Sequence, residues 1–293
     1  MAVLGVLLAG CSRDTAVDLE SLAGRAKSGD RAAIVKLVDL LATPEGKVAE
    51  QAYPAVVAAG AEAIPVLLEQ VGTTDRQLRE YVIAALGSLK AAQAVAPLGR
   101  VLADRTLDRR YVAAWALGEI GRPEGISALI GALDDPNGEV RRYATRALIK
   151  LNRPAVEPLI AHLRTASGES AAGAIRALGD IADPAALDVL LRHAAGAQRS
   201  DAFLALGKLR DPRAEATLIR GLNDSDWQAR MNAAMALGPL GGPRAAAALK
   251  RTLNDEVHVV REWSARSLEM MTGQPVLYKN SKGEMVRPYN VYH

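Results

Sequence analysis

One cysteine, Cys11, is present among the 293 residues, which excludes a disulfide within the chain and a zinc site built from several cysteines. Aromatic residues are 4% of the sequence, and phenylalanine occurs once. No histidine belongs to a His-Glu-x-x-His pattern or has a cysteine or carboxylate at metal-ligand spacing; the histidines are His162, His193, His258 and His293. A glycine-rich phosphate loop and a Gly-x-Ser-x-Gly nucleophile turn are also missing. The sequence therefore predicts no metal, no cofactor, no catalytic residue and no small-molecule substrate, and it favours a protein that is not an enzyme.

The excess of charge is also small. The formal net charge is +3, which is too little to predict nucleic-acid binding by itself. Alanine and leucine dominate the composition instead. Because both are strong helix formers and alanine lets helices approach closely, this composition favours packed helices over sheets.

Similar segments recur along the chain at intervals of 28 to 31 residues. Each resembles the segment VRRYATRAL of residues 140–148, and each ends in a leucine; these leucines are Leu86, Leu117, Leu148, Leu178, Leu206, Leu237 and Leu268. A fixed period of this length is typical of a solenoid made of helical hairpins. The segment that ends in the leucine is helix A of each repeat, and a second apolar segment after a short turn is helix B.

Glycine and proline predict where these helices end and begin. A glycine follows most of the closing leucines, and we expect it to end helix A with a positive φ; these glycines are Gly87, Gly118, Gly179, Gly207 and Gly238. A proline opens most B helices, where its missing N–H costs nothing; these prolines are Pro123, Pro154, Pro184, Pro212 and Pro243.

The motif of an acidic turn, then Val-Arg, then Ala-x-x-Ala-Leu-Gly resembles HEAT repeats, and more closely the HEAT-like repeats named after phycobilisome lyases. The resemblance implies an all-α fold, a right-handed superhelix of about eight helical hairpins and a final helix. The motif arginine falls on Arg79, Arg110, Arg141, Arg199, Arg230 and Arg261, and Ala171 replaces it in one repeat. We interpret these arginines as structural, since an Arg fork can bind carboxylates and turn carbonyls of adjacent repeats. The alternative is a row of ligand-binding arginines.

A second row of basic residues falls on the B helices. When these helices are aligned by their closing leucines, Arg100, Arg192, Arg220 and Arg251 take similar positions. By the resemblance, B helices line the concave side of the solenoid. We therefore expect a basic stripe that binds an acidic protein segment, an anionic glycan or an anionic lipid surface, against the simpler reading of a solvated face. Two of the tryptophans, Trp115 and Trp263, are expected in the core.

The first residues predict a lipid anchor. Ala2 to Ala9 is an apolar run too short to span a bilayer, and it leads into Leu8-Ala9-Gly10-Cys11. This sequence resembles the lipobox of bacterial lipoproteins, although no lysine or arginine precedes the apolar run. The resemblance implies that residues 1–10 are a signal peptide, that Cys11 is lipidated, and that the protein lies in the bacterial envelope at the periplasmic face of the outer membrane.

The remaining divisions are a linker that ends at residue 16, a solenoid over residues 17–271 and a C-terminal tail over residues 272–293. Two β-favouring runs around Asn280-Ser281-Lys282-Gly283 predict a hairpin in the tail. Solenoids need their last repeat covered, so the hairpin is interpreted as a cap, with a partner-binding tail as the alternative.

These features lead to one main functional expectation and two alternatives. The main expectation is a non-catalytic, lipid-anchored scaffold or adaptor that binds a protein partner on the concave face, without nucleic acid. One alternative is a bilin lyase-like or lyase-associated HEAT-repeat protein, implied by the repeat type. The other is a cytosolic HEAT-like nucleic-acid-binding protein.

Overall fold

The computed structural model describes residues 18–44 and 46–288. Within these residues the chain forms 17 α-helices and one two-stranded antiparallel sheet. The helices are α1 (Leu19–Lys27), α2 (Arg31–Leu40), α3 (Gly46–Ala58), α4 (Ile64–Gln70), α5 (Arg76–Ser88), α6 (Val95–Ala103), α7 (Tyr111–Ile120), α8 (Ile126–Gly131), α9 (Gly138–Leu151), α10 (Val156–His162), α11 (Gly168–Ile181), α12 (Leu187–His193), α13 (Arg199–Leu209), α14 (Glu215–Gly221), α15 (Trp227–Leu240), α16 (Pro243–Thr252) and α17 (His258–Thr272). The strands are β1 (Tyr278–Lys279) and β2 (Met285–Val286).

Short 3-10 turns connect many of these helices. Their bounds are Gly60–Ala63, Ala92–Ala94, Pro123–Gly125, Ala132–Asp134, Arg153–Ala155, Pro184–Ala186 and Pro212–Ala214. All five prolines expected to open B helices lie in the first turn of a 3-10 or α-helical segment. Their effect on helix starts is therefore as predicted.

The chain divides into two compact units, Met1–Ala85 and Leu86–His293. In the first unit, Gly29 adopts φ +85° after α1, and the Asp30 carboxylate accepts hydrogen bonds from the N–H groups of Ala32 and Ala33 to cap α2. Gln77 of α5 donates to the carbonyls of Leu41 and Thr43, 2.9 and 2.8 Å away, and so links the segment after α2 to the start of α5.

No single helix in residues 18–44 and 46–288 is long and apolar enough to cross a membrane. One bent pair, Gly46–Ala58 followed by Gly60–Gln70 at 117°, meets the length and composition criteria jointly.

In the second unit the A helices α7, α9, α11, α13, α15 and α17 pack each on the next, and the B helices pack on one another and on the A helices. The core is rich in alanine and leucine, with fully buried side chains such as Leu117, Leu148, Leu178, Leu206 and Leu237. The closing leucines of the sequence pattern are therefore the residues that each repeat buries, as an all-α repeat fold requires.

The prediction that five glycines end the A helices is wrong. Gly87, Gly118, Gly179, Gly207 and Gly238 lie inside helices, and none has a positive φ. Their role is close packing: a Cβ at Gly118 would lie 2.9 Å from Ala147 Cβ, and one at Gly207 would lie 2.6 Å from Ala236 Cα. The residues that end these helices with a left-handed backbone conformation come later in the chain, at Gly121, Ala182, Arg210 and Gly273.

The C-terminal hairpin is confirmed. Tyr278 pairs with Val286 and Lys279 with Met285, and the Tyr278 side chain is buried on α17. Burial raises the pKa of the Tyr278 phenol, together with the charge of Glu262 and the hydrogen bond to it. The hairpin therefore packs on the end of the last repeat.

Candidate functional site

The repeat arginines link neighbouring repeats in the second unit. Arg110 binds Asp135 through both terminal guanidinium nitrogens, and both residues are buried. Arg199 binds Asp224 at 2.6 and 3.0 Å, and Arg230 binds Asp255 at 2.8 and 3.1 Å. In each pair the carboxylate comes 25 residues after the arginine, in the turn before the next A helix. We call these three pairs the Arg–Asp ladder.

The same arginines also bind turn carbonyls of their own repeats. The guanidinium donates to the carbonyl six residues earlier in four cases: Arg79 to Thr73, Arg141 to Asp135, Arg230 to Asp224 and Arg261 to Asp255, at 2.6 to 2.9 Å. A buried guanidinium that donates in several directions leaves few of its N–H groups for a ligand. The contacts are those of a structural residue.

The ladder is interrupted in the middle of the second unit. Thr165, two residues after Leu163 and six before Ala171, stands where the other repeats have the ladder aspartate, and the carboxylate nearest to Arg141 is that of the exposed Glu169 at 3.9 Å. Histidines occupy this region instead. His162 Nε2 lies 2.9 Å from Ser170 Oγ, and His193 Nε2 lies 3.2 Å from the Leu163 carbonyl oxygen.

The ladder also sets the charge state of its carboxylates. Burial alone raises the pKa of Asp135, but the hydrogen bonds from Arg110 and from the Asn137 N–H outweigh burial and hold this pKa below its ordinary value. The hydrogen bond from Arg199 is the main cause of the lowered pKa of Asp224. Both carboxylates are therefore ionised at neutral pH.

The predicted basic stripe lies on B helices, in the last turns of α6, α12, α14 and α16. Arg192, Arg220 and Arg251 belong to three consecutive B helices, whereas Arg100 belongs to α6, which two further B helices, α8 and α10, separate from α12. All four side chains are exposed. Arg220 donates to Thr217 Oγ1 at 3.0 Å, and within residues 86–288 none of the four forms an ion pair with a carboxylate.

One groove of the second unit lies between α6 and α8. It measures about 660 Å³. Its floor is made of small residues, among them Ala96, Gly99 and Ala128, and its charged side chains are Arg100, Arg122 and Glu124. Arg122 and Glu124 face each other at 3.6 Å and are both exposed.

Arg122 was not predicted as a site residue, because its Arg-Pro turn was interpreted only as a helix start. A signal was present, since small residues recur at Ala92 in the turn before α6 and at Ala96, Gly99 and Ala103 on α6. Such a row leaves room between neighbouring B helices that larger side chains would fill.

No cluster of three or more metal-ligating side chains occurs among residues 18–44 and 46–288. The predicted lipidation site, Cys11, lies outside the described residues. So do residues 289–293, which include Tyr289 and Tyr292 of the tail. Trp115 and Trp263, expected in the core, are only half-buried.

The fold defines an α-helical repeat protein. The family model for HEAT repeats matches residues 64–149, 126–202 and 190–269, which together cover more than half of the chain. The chain therefore belongs to the HEAT-repeat family. A solved structure with a similar arrangement is that of a Kap121p mutant, at 13% identity and a TM-score of 0.59 over 87% of this chain and 34% of that chain. This likeness supports the fold.

Two further similarities involve lyases. The phycocyanobilin lyase subunit alpha of Synechococcus elongatus is 42% identical over 92 residues, which are 28% of this chain and 34% of that protein. The complex of CpcE and CpcF of phycocyanin lyase from Nostoc sp. PCC7120 is 23% identical at a TM-score of 0.38, over 70% of this chain and 86% of the other. The chain thus matches about a third of the length of the phycocyanobilin lyase subunit.

The match to the lyase subunit corrects two expectations. The main functional prediction is a non-catalytic scaffold, and the sequence favours a protein that is not an enzyme. Both are overturned by the identity to a lyase subunit, which favours the bilin lyase-like alternative. The expected absence of a small-molecule substrate is likewise unsupported, because that relative is named for a phycocyanobilin. The phycobilisome-lyase type of repeat, in contrast, is confirmed.

Proposed function

We propose that this chain is a bilin lyase-like or lyase-associated HEAT-repeat protein that binds a phycocyanobilin-type tetrapyrrole. The observation that carries the proposal is the 42% identity over 92 residues to a phycocyanobilin lyase subunit. Because the match spans 34% of that protein, the activity, the bilin and the partner are all part of the proposal.

The α6–α8 groove is the best candidate for the bilin. A phycocyanobilin is an open-chain tetrapyrrole with propionate carboxylates, so its site needs apolar contact area and cations. The groove supplies both, with a floor of alanine and glycine and the guanidinium groups of Arg100 and Arg122. Its volume of about 660 Å³ lies within the roughly 300–1,000 Å³ that is common for small-molecule sites.

The residues of the groove have assignable roles in this proposal. Arg100 has no carboxylate partner within residues 86–288, so its guanidinium is available to a propionate. Arg122 would exchange its 3.6 Å contact with Glu124 for a second carboxylate. Charge-assisted hydrogen bonds of this kind are stronger than neutral ones and orient the ligand.

The test is a titration of phycocyanobilin with the purified chain, followed by absorption and fluorescence of the bilin. We expect a saturable spectral change in the wild-type protein. Arg100→Gln and Arg122→Gln should each weaken binding by about tenfold, the equivalent of roughly 1.4 kcal/mol. Arg192→Gln is the matched control, because Arg192 holds the place of Arg100 on α12 and lies outside the groove.

The outcomes separate the site from the function. If the wild-type protein binds the bilin saturably and neither Arg100→Gln nor Arg122→Gln weakens binding, the bilin site lies outside the α6–α8 groove. The proposed function would still stand. A wild-type protein that produces no spectral change would contradict the proposed function itself.

A protein partner belongs to the same proposal, since HEAT repeats present surfaces for protein interaction. Arg192, Arg220 and Arg251 are the candidate contacts, because they are three exposed cations on consecutive B helices without carboxylate partners in residues 86–288. Changing all three to glutamate should abolish capture of the partner, and capture that survives would remove the basic stripe from the proposal.

The proposal of a lipid anchor rests only on the sequence Leu8-Ala9-Gly10-Cys11. Labelling cells with radioactive palmitate and fractionating their membranes tests it. Label in the membrane fraction that Cys11→Ser removes would support the anchor and an envelope location. A wild-type protein that is unlabelled and absent from the membranes would exclude it.

A further inference from the structure

A second, smaller groove lies between the A helices α7 and α9, on the opposite layer of the repeats from the α6–α8 groove. It measures about 220 Å³. Trp115 forms one wall and Tyr143 with Arg146 the other, and Gly118 and Ala147 form the floor. The floor is narrow because a Cβ at Gly118 would come within 2.9 Å of Ala147 Cβ.

Side-chain pairs flank this α7–α9 groove. The rings of Tyr111 and Tyr143 lie tilted to each other with centroids 5.1 Å apart. Lys150 Nζ binds Glu119 Oε2 at 2.5 Å, and both residues line the groove. The groove is therefore a small depression with aromatic walls, large enough for one side chain and below the size of most small-molecule sites.

The rim of the groove is cationic. Arg146 is exposed and its guanidinium lies 5.7 Å from the Tyr143 ring centre. No carboxylate within residues 86–288 forms an ion pair with Arg146. Arg142 lies over the same ring at 5.4 Å and pairs with Glu139 on the solvent side. The aromatic ring thus holds Arg146 in place while its N–H groups stay open to an anion.

Most repeats lack such a cluster. The chain contains eleven aromatic residues, from three Trp, seven Tyr and one Phe, and two of them line this groove. The positions of Tyr143 and Arg146 are taken by Gly173 and Arg176 on α11, by Asp201 and Leu204 on α13, and by Asn232 and Met235 on α15. On α17 they are Trp263 and Arg266, where Arg266 lies 4.8 Å from the Trp263 ring centre and, unlike Arg146, pairs with a carboxylate, that of Glu262 at 2.9 Å. Repeat packing therefore does not require aromatic residues at these positions. Half-buried Trp, Tyr and Arg are the residue types that dominate binding energy at protein interfaces.

We propose that the α7–α9 groove binds an acidic peptide segment of a partner protein, with one aromatic side chain of the peptide between Trp115 and Tyr143 and a neighbouring carboxylate on Arg146. The volume selects a single side chain, the walls select a ring, and the unpaired guanidinium selects an anion. This inference does not depend on bilin binding, since the two grooves share no residue.

The test is selection of a random heptapeptide library, displayed on phage, on the immobilised full chain. The expected consensus is an aromatic residue with Asp or Glu within two positions of it. A synthetic fluorescein-labelled peptide of that consensus then gives the dissociation constant by fluorescence polarisation. Arg146→Glu should raise this constant by at least about tenfold. Raising sodium chloride should weaken the wild-type complex, because the contact is partly ionic.

Arg176→Glu is the matched control. Arg176 occupies the place of Arg146 on α11, where it pairs with Asp201 at 3.2 Å and has no aromatic neighbour in the repeat pattern. Its substitution should change the dissociation constant less than about twofold. Because Arg146 is exposed, Arg146→Glu should leave the circular dichroism spectrum and the melting temperature unchanged. Trp115→Leu keeps apolar volume in the wall and tests the aromatic contact separately.

Three results would overturn the proposal. The first is a set of selected peptides without acidic or aromatic residues. The second is binding of the consensus peptide that survives both Arg146→Glu and Trp115→Leu. The third is self-association of the wild-type chain in sedimentation that Arg146→Glu abolishes, because the occupant of the groove would then be a second copy of this chain.

Discussion

Arg110 and Asp135 are the most deeply buried ion pair of the Arg–Asp ladder, with exposed side-chain fractions of 6% and 5%. Asp135→Asn keeps the shape of the side chain but leaves the Arg110 charge without a counter-charge. We expect a loss of about 2–4 kcal/mol in the free energy of unfolding, because breaking a buried pair strands a charge in a poorly solvated place. Urea unfolding followed by circular dichroism measures it.

Glu139→Gln is the control for this loss. Its pair with Arg142 has both side chains 51% exposed, and such surface pairs contribute at most about 1 kcal/mol. Equal losses of unfolding free energy in the two variants would mean that burial does not strengthen the Arg110–Asp135 pair. Arg110 would then be solvated without Asp135.

A helical glycine can be tested in the same way. Gly207→Ala places a Cβ 2.6 Å from Ala236 Cα and 2.7 Å from Ala236 Cβ, so α13 and α15 must move apart. We expect a loss of about 1–3 kcal/mol from overpacking. Gly131→Ala on α8 meets no atom within 4 Å, and there the higher helix propensity of alanine should be neutral or stabilising by up to about 1 kcal/mol. A higher melting temperature for Gly207→Ala than for Gly131→Ala would contradict the close contact between α13 and α15.

At the scale of whole elements, the interruption of the Arg–Asp ladder is a built-in weak place between α9 and α11. Thr165→Asp adds a carboxylate at the position where Asp135, Asp224 and Asp255 stand in other repeats. Arg141 is already fixed nearby by the carbonyl oxygens of Asp135 and Pro136, at 2.8 and 3.1 Å. We expect Thr165→Asp to stabilise the protein by up to about 1 kcal/mol and to slow hydrogen exchange of residues 163–170.

Thr165→Asn separates the charge from the turn. Each ladder aspartate also accepts a hydrogen bond from the N–H two residues later, as Asp135 does from Asn137, and asparagine can make that contact without the charge. A gain in Thr165→Asn equal to that of Thr165→Asp would show that the turn, and not the ion pair with Arg141, was the missing element.

The period of the pattern and the turn prolines were enough to predict the helices, because a repeat buries its closing leucine wherever it recurs. The role of the helical glycines was not predictable in the same way. Leu-Gly at the end of an apolar stripe fits a helix cap and a close helix contact equally well, and only the position of the next A helix decides between them. Both grooves escaped prediction for a related reason, since each is made by side chains from two repeats.

The hairpin shows how an element outside the repeat completes it. Arg110, Arg199 and Arg230 bind the aspartate of the next turn, but α17 is followed by the hairpin. Arg261 Nε instead donates to the Lys279 carbonyl at 2.6 Å, and Arg261 Nη2 to the Asn280 carbonyl at 3.2 Å. The sequence predicted a hairpin from its β-favouring runs, but the acceptors are backbone atoms that no side-chain pattern reveals.

For the molecule as a whole, the buried titratable groups predict how stability changes with pH. Burial lowers the pKa of His162 below its ordinary value of 6.5, although the charge of Asp134 acts in the opposite direction. The unfolded chain therefore binds a proton at His162 before the folded chain does, and stability falls as the pH drops below about 6.5. Asp135 and Asp224 have pKa values lowered from 3.8, so their contribution is complete above about pH 4 and is lost at lower pH.

The melting temperature should consequently fall in two steps on acidification, a shallow one that begins below about pH 6.5 and a steeper one below about pH 4. His162→Gln should remove the shallow step, because glutamine can still bind Ser170 and does not titrate. His258→Gln, at the exposed start of α17, should keep it. A shallow step that persists in His162→Gln would assign it to another group, whereas its loss would identify the interrupted part of the ladder as the region that weakens first in mild acid.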